Sequence, residues 1–482
     1  MNFRKTSSIF SGAAGIVIAF CALFGLSSCR TTADLLASFE QQIVTGDYEG
    51  AIRLCADRAG RNDRHQLLWQ LNAASACALG GHGSEAIAYA DAAEKLAVEN
   101  DFVGQIGRGA AVAGAVLTND MATDYEARGP ELVYNGLNKA IQYLLAGQRN
   151  ACRTELNRTL GWQEEYGYRN RKYIAAVMDE IEKEQAKQNW PGGADNAAVL
   201  AAMRGNEAIS EKLPPGAFSA DVGALAAADY VNTYALHVAG VFRWLNGDGG
   251  QVLRQARKFA PASRVVQSDL ADFEGGGRHA PPQGQVWIWF EDGLCPVRHE
   301  LAQPIVVPVP VPHHRTELLA VTVAMPYLVK RLPGATSYAV NGVSAELLLD
   351  FDRLVERDFT IWLKGAVARE AVRATIRLGT QIALLLSEYN TDDHNVRLSL
   401  QLARLGTAVY SASVPAADIR SVTAMPRSIL VCRVPLPADR ILHIDIDGVR
   451  SEVQLPGGSA NAMVFVRKPA PSAPAAVACA AF

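Results

Sequence analysis

Gly46-Asp47-Tyr48-Glu49-Gly50-Ala51-Ile52 and Gly81-His82-Gly83-Ser84-Glu85-Ala86-Ile87 follow one plan, 35 residues apart. In each, a glycine follows an apolar run of helical spacing, and a small alanine and an isoleucine open the next run. Upstream of the first copy, Leu35, Leu36, Phe39, Ile43 and Val44 recur every three or four residues, the spacing of one helix face. A second helix is expected from Tyr48 through Ala51, Ile52 and Cys55. A third carries Leu68, Leu71, Ser75 and Ala78 and closes at Gly80-Gly81; a fourth carries Ala86, Ile87, Ala90, Ala93 and Leu96. Glycine past a helix end frees the chain to reverse, so the plan predicts paired antiparallel helices.

The device recurs at Gly147-Gln148-Arg149-Asn150-Ala151, after a helix through Val133, Leu137, Ala140, Ile141, Leu144 and Leu145. A weaker copy is Gly247-Asp248-Gly249-Gly250-Gln251-Val252, with Ala256 after it and Pro261 beyond. The interval is close to the period of about 34 residues that tetratricopeptide repeats keep, and the pattern resembles a degenerate form of them. Trp69 is the one counterpart of the usual first-helix tryptophan, and Asp63 stands where a proline is usual. A TPR-like α-helical domain is therefore expected over residues 35–273. Two stretches interrupt it. Gly104, Gly107, Gly109 and Gly114 favour an irregular element, and residues 187–224 mix prolines and glycines with Ala-rich helix in a connecting segment.

Beyond a Gly-rich linker at 274–280 the period changes from helical to alternating. Gln285 to Phe290 reads as a strand with two tryptophans, and Glu291-Asp292-Gly293 as its turn. Further strands are expected at Val306–Val311, Leu318–Val323, Tyr338–Val340, Ile429–Val434, Ile441–Ile446 and Met463–Val466, with helical periodicity from Leu354 to Leu386. The expected fold class is α + β multidomain: the helical-hairpin array, then a mainly β domain over 281–468 with an inserted helix. The Ala/Pro stretch 469–482 reads as a disordered tail.

The first 29 residues place the chain. Arg4 and Lys5 precede an apolar or small run from Ile9 to Leu26, and Leu26-Ser27-Ser28-Cys29 follows. These are the parts of a secretory signal, and the ending resembles the lipobox of bacterial lipoproteins. That resemblance implies a signal peptide over 1–28, lipidation at Cys29 and a short tether over 29–34. The alternative is an uncleaved transmembrane helix, for which the run is barely long enough. Arg30 stands where an inner-membrane retention signal usually has Asp, which implies the outer membrane, facing the periplasm. Removing residues 1–28 takes away Arg4 and Lys5 and no acid, leaving 44 basic against 49 acidic residues and a net charge of −5. That balance excludes a nucleic-acid partner and offers no polybasic patch to anionic lipid heads.

Chemistry is sparse. No CxxC or zinc spacing joins the six remaining cysteines, and no GxSxG elbow, phosphate loop or dinucleotide fingerprint is present, so no cofactor, metal or catalytic set is expected. Glu291 and Asp292 offer a carboxylate pair to a glycosidase, but an acid before Gly293 is more often a turn former. His313-His314, with His299, are the candidate metal ligands, yet adjacent histidines on a strand point to opposite faces. Asp418-Ile419-Arg420 reads either as a recognition site, Arg420 meeting a carboxylate of a partner or a peptidoglycan stem peptide, or as an Asp–Arg clamp ordering its loop. Glu155 and Arg158, one turn apart, read as a partner contact or as a helix-surface pair.

Taken together, Asn119-Asp120 leading to Tyr125-Glu126, Leu144-Leu145-Ala146-Gly147 with Ala151, Glu155 and Arg158, then Asn232, Tyr234, Gly240 and Gly247-Asp248 carry a wider resemblance. Gly284-Gln285-Val286, Glu291 to Pro296, Met325-Pro326-Tyr327, Asp418-Ile419-Arg420-Ser421 and Met425-Pro426 continue it. The chain resembles a family of uncharacterised bacterial lipoproteins joining a tetratricopeptide-like half to a C-terminal β domain. It departs from that pattern at Val422, where an aromatic is usual, and Thr233, where a proline is usual. The resemblance implies a cell-envelope adaptor or regulator, because relatives are often encoded beside outer-membrane lipoproteins that activate cell-wall synthases. Its expected partners are the membrane, through the lipid, an envelope protein and peptidoglycan. The alternatives are a cell-wall hydrolase using an acid of the β domain, and a structural lipoprotein.

Overall fold

The computed structural model describes residues 32–99, 121, 123–166, 194–218, 231–275, 284–312, 314–413 and 417–482. Cys29, the leader, the glycine-rich stretch around 104–114 and most of the 274–280 linker lie outside them.

The N-terminal half carries the expected helices with glycine turns between them. Helices α1 (32–45), α2 (Tyr48–Ala59), α3 (Gln66–Leu79) and α4 (83–99) reverse direction at each glycine, and α5 (Gly129–Leu145) and α6 (149–166) do the same. Gly46, Gly81, Gly147 and Gly247 all adopt a left-handed backbone, with φ between +74° and +80°. An L side chain avoids that region, and this explains why glycine marks each turn. After α7 (Asn196–Gly205) and α8 (Glu207–Lys212) come α9 (Thr233–Leu245), α10 (Gln251–Phe259) and α11 (Arg264–Glu274). A Cβ on Gly240 would lie 2.7 Å from Leu253, so only glycine lets α9 and α10 approach this closely.

The C-terminal half contributes a five-stranded sheet in the order β11-β10-β1-β7-β6, of β1 (Gln285–Asp292), β6 (Glu346–Asp350), β7 (Ser428–Pro435), β10 (Asn461–Lys468) and β11 (Ala476–Ala481). Central β1 is parallel to β10 and antiparallel to β7 and is buried on both faces. Its alternate residues part company. Trp287 and Trp289, with Met463 and Phe465 of β10, pack on the helices; Val286, Ile288 and Phe290 pack on a four-stranded sheet. That sheet is β5-β4-β8-β9, of β4 (Tyr338–Val340), β5 (Val343–Ser344), β8 (Ile441–Ile446) and β9 (Val449–Gln454). The result is three layers: helices, sheet, sheet. One core runs from Phe39 of α1 to Trp289 and Phe465, so helices and sheet bury their apolar faces against each other.

A second core forms beside this stack. The two expected strands at 306–323 are parts of one long ribbon, β2 (Val297–Val311) and β3 (Arg315–Val329). It packs its alternate valines on α7, α8 and α12 (Phe351–Tyr389), and α13 (His394–Ser413) follows α12. His314 sits in the ribbon's turn at φ +56°, not on a strand. Glu291 and Asp292 close β1 instead of forming its turn, and Gly293 (φ +61°) makes the turn.

The C-terminal stretch also departs from expectation. The stretch 469–482 is no disordered tail, because Ala476–Ala481 pairs antiparallel with β10 as strand β11. Alanine has little strand preference of its own, but small side chains fit against the covered face of the sheet, and β10 supplies the main-chain partners.

Candidate functional site

Alternation along β1 sends Glu291 to the same face as Trp287 and Trp289, beneath the helices. There Tyr134 of α5 donates its hydroxyl to Oε2 at 2.9 Å, and Tyr234 of α9 donates to Oε1 at 2.9 Å. Burial pushes both phenols well above their ordinary range, so they remain protonated donors. Arg467 of β10 brings Nε to 3.5 Å from Oε2, while its Nη1 donates to the carbonyls of Glu291 (2.9 Å) and Gly293 (2.7 Å) and its Nη2 to that of Ala424 (3.0 Å). The negative and positive charges balance inside a frame drawn from two helices and two strands.

Tyr134, Glu291 and Arg467 of this frame line a cavity of about 500 Å³, a size that suits a small ligand or a few residues of a chain. The α3–α4 turn at Gly81 and Gly83, Ile141 and Leu145 of α5, Phe465 of β10 and Ala476 to Cys479 of β11 surround it. The walls are mainly apolar, and Ser75, Asn138, Gln142 and Gln148 add neutral polar groups. Glu291 is the one acid among the described lining residues. Glycoside hydrolysis of the usual kind needs two carboxyl groups across the bond, and one Tyr-bound carboxylate fills neither pair of roles. Asp292 gives no help, since it faces the other sheet. Its Oδ1 accepts from the amides of Gly334 (2.8 Å) and Ala335 (3.0 Å) and from the Tyr338 hydroxyl (2.6 Å).

The other residues singled out from sequence serve the fold. Glu155 is buried, not presented to a partner: it meets Lys139 at 2.8 Å, and the same ammonium holds Asp91 and Glu94 at 2.8 Å each. Arg158 closes that cluster, 3.1 Å from Glu94 and 3.5 Å from Glu155. Arg420 is 1% exposed, so a partner's carboxylate has no route to it. Its Nε and Nη2 grip Asp418 at 2.8 and 3.1 Å, and its Nη1 donates to the Thr123 carbonyl at 2.8 Å. The guanidinium also lies over Tyr125, at 5.6 Å. Of its two readings the clamp is the one realised. The described cysteines are free thiols, and burial pushes those of Cys77, Cys152, Cys295 and Cys432 up to about 12, far from a nucleophile's range. Among the described residues no cluster of His, Cys, Asp and Glu could hold a metal.

Sequence reading passed over Tyr134 and Arg467, named Tyr234 only as part of the resemblance, and missed a second buried network. Trp289 donates Nε1–H to Nδ1 of His237 at 3.1 Å, which leaves Nε2–H to donate to Asp269 at 2.8 Å. Asp269 also receives the Trp287 indole N–H at 3.0 Å and Arg433 at 2.8 Å. The available signal was a polar residue in an apolar run: His237 in Tyr234 to Phe242 and Arg467 after Met463 to Val466.

Comparison of the chain with models of known protein families, with curated proteins and with solved structures finds no match in any of the three.

Proposed function

We propose that this chain is a membrane-anchored envelope lipoprotein, tethered through Cys29, that works as a binding module: an adaptor or regulator whose recognition surface is the cleft between the TPR-like hairpins and the sheet. The observation that carries this reading is the 500 Å³ cavity, open beside β11, while the ionisable groups around it are matched within the chain. Helical hairpins stacked side by side leave one face for recognition, and here the turn at Gly81 and the end of α5 meet the sheet to form a pocket in that face. The resemblance to envelope lipoproteins supports the setting, and the neutral, apolar walls favour binding over chemistry.

The test is a photo-crosslinking amino acid placed in the full chain in cells. At Gln148, on the cavity rim, it is expected to yield a discrete adduct band. At Arg254, on the exposed side of α10, it is expected to yield none. Equal adducts from both positions, or none from Gln148, would overturn the reading. Metabolic palmitate labelling that persists in Cys29→Ser would overturn the anchor.

A further inference from the structure

Every strand at the margin of a sheet exposes main-chain donors and acceptors, and folded proteins blunt such edges with proline, charge, bulges or covering elements. This chain does so almost everywhere. On β2 the carbonyl of Pro304 faces outward to Asn206 of α8's N-terminal cap (3.2 Å), so residues of that parity face the free edge; they include Pro308 and Pro310, which have no N–H to offer. On β3, α12 covers the corresponding groups: Gln381 donates to the Ala320 carbonyl and Glu370 accepts from the Ala324 amide, both at 3.2 Å. Strand β6 is bulged between Leu347 and Leu349, and its Glu346 binds the α11 cap at Ser263. Strand β9 is charged by Arg450 and Glu452, and β5 is two residues long.

Among the described residues strand β11 has none of these guards between Ala476 and Ala480. Its sequence, Ala476-Val477-Ala478-Cys479-Ala480-Ala481, has no proline and no charge, and its pairing to β10 has no bulge. Asn461 and Phe482 exchange both main-chain bonds at 2.9 Å. By the two-residue alternation of an antiparallel ladder, Ala480, Ala478 and Ala476 are likewise bonded to β10, and Val477, Cys479 and Ala481 point outward. Arg149 caps the Ala481 carbonyl at 2.9 Å, and Tyr48 reaches the Pro474 carbonyl at 3.4 Å beyond the other end. Between these staples no described segment pairs with Val477 or Cys479, and both line the cavity.

Resting on the binding reading above, we propose that the occupant is a short extended peptide that adds to β11 as a sixth strand. Its main chain bonds Val477 and Cys479, and alternate side chains enter the cavity toward Phe465 and Ile141. The walls fix the chemistry of those side chains. They are small to medium and uncharged, because the cavity's charges, Glu291 and Arg467, already face each other and the remaining polar groups are neutral amides and hydroxyls.

The test is titration of the full chain with acetyl-Ala-Val-Ala-Val-Ala-amide by calorimetry. Binding is expected with a Kd on the order of 0.1–1 mM. Val477→Pro removes only an outward N–H and leaves the β10 ladder intact; it should weaken binding about tenfold or more. Ala478→Trp should abolish binding by filling the cavity. Melting curves of both variants matching the parent show that the fold persists; if Ala478→Trp fails to fold, Val477→Pro decides alone. Absence of heat at about 5 mM peptide, or unchanged affinity in Val477→Pro, overturns strand addition. So does a concentration-dependent dimer of the chain that Val477→Pro dissolves, since β11 would then serve a second copy. The Gln148 adduct stands or falls separately, so failure here leaves the binding reading to its own experiment.

Discussion

Asp269 of α11 and Glu291 of β1 are two carboxylates where the helices meet the sheet, each reached by aromatic donors, by an arginine of the sheet and by a side chain of α9. Asp269 has no exposed surface, and His237, Trp287 and Arg433 converge on it from α9, β1 and β7. Glu291 has the same kind of company, yet it lines a cavity. A buried charge with every lone pair matched fixes the relation of the elements that meet it. A matched charge at the wall of a cavity fixes the wall and leaves the space beside it neutral. The difference teaches that burial and hydrogen bonding alone do not separate a joint from a site; what adjoins the carboxylate does.

The comparison can be broken most directly at Asp269. Asp269→Ala leaves the buried N–H groups of Trp287 and His237 without their acceptor, while Arg433 keeps Asp272 at 2.7 Å, and urea denaturation is expected to show a loss of about 3–5 kcal/mol. Tyr134→Phe and Tyr234→Phe each remove one donor to Glu291 and should cost about 1.5–3 kcal/mol. A double-mutant cycle between them measures their coupling through the shared carboxylate; additive losses would show that Glu291 is not the joint described. Glu291→Gln keeps the shape and most of the bonds, so a smaller loss of about 1–2 kcal/mol is expected, with peptide binding at β11 retained.

A third carboxylate sharpens the contrast through pH. Burial at the start of α12 raises Asp352 to about 7, against the opposing pull of Arg427 at 3.5 Å. The folded chain therefore holds a proton that the unfolded chain releases near about 4. The stabilisation from that protonated form is present at low pH and is lost as pH rises from about 4 to about 7. Asp352→Asn cannot ionise, so its stability relative to the parent should rise by about 1 kcal/mol between about pH 4.5 and pH 8. A flat difference across that interval would mean that Asp352 is charged in the fold.

Much of the helical half was legible because its information is local. Glycine at Gly46, Gly81, Gly147 and Gly247 is read as a turn wherever it stands after an apolar-periodic run, and its left-handed φ bears that out. The candidate site was far less legible. Glu291 was noticed for its neighbour Asp292, but its actual partners lie 57 and 157 residues away in sequence. The Arg420 clamp was one of two readings, and only its burial chose between them.

By itself the sequence determined the helix pairs, their turns and most strands of the C-terminal half, since each follows from periodicity or glycine conformation over a few tens of residues. Only the tertiary structure decided that Ala476–Ala481 is a strand, that Glu291 and Asp292 face different layers with different partners, and that the helices and sheet enclose a cavity beside the edge strand β11. An alanine-rich segment has no pattern of its own to announce, and its conformation is set by the main chain of β10 lying alongside.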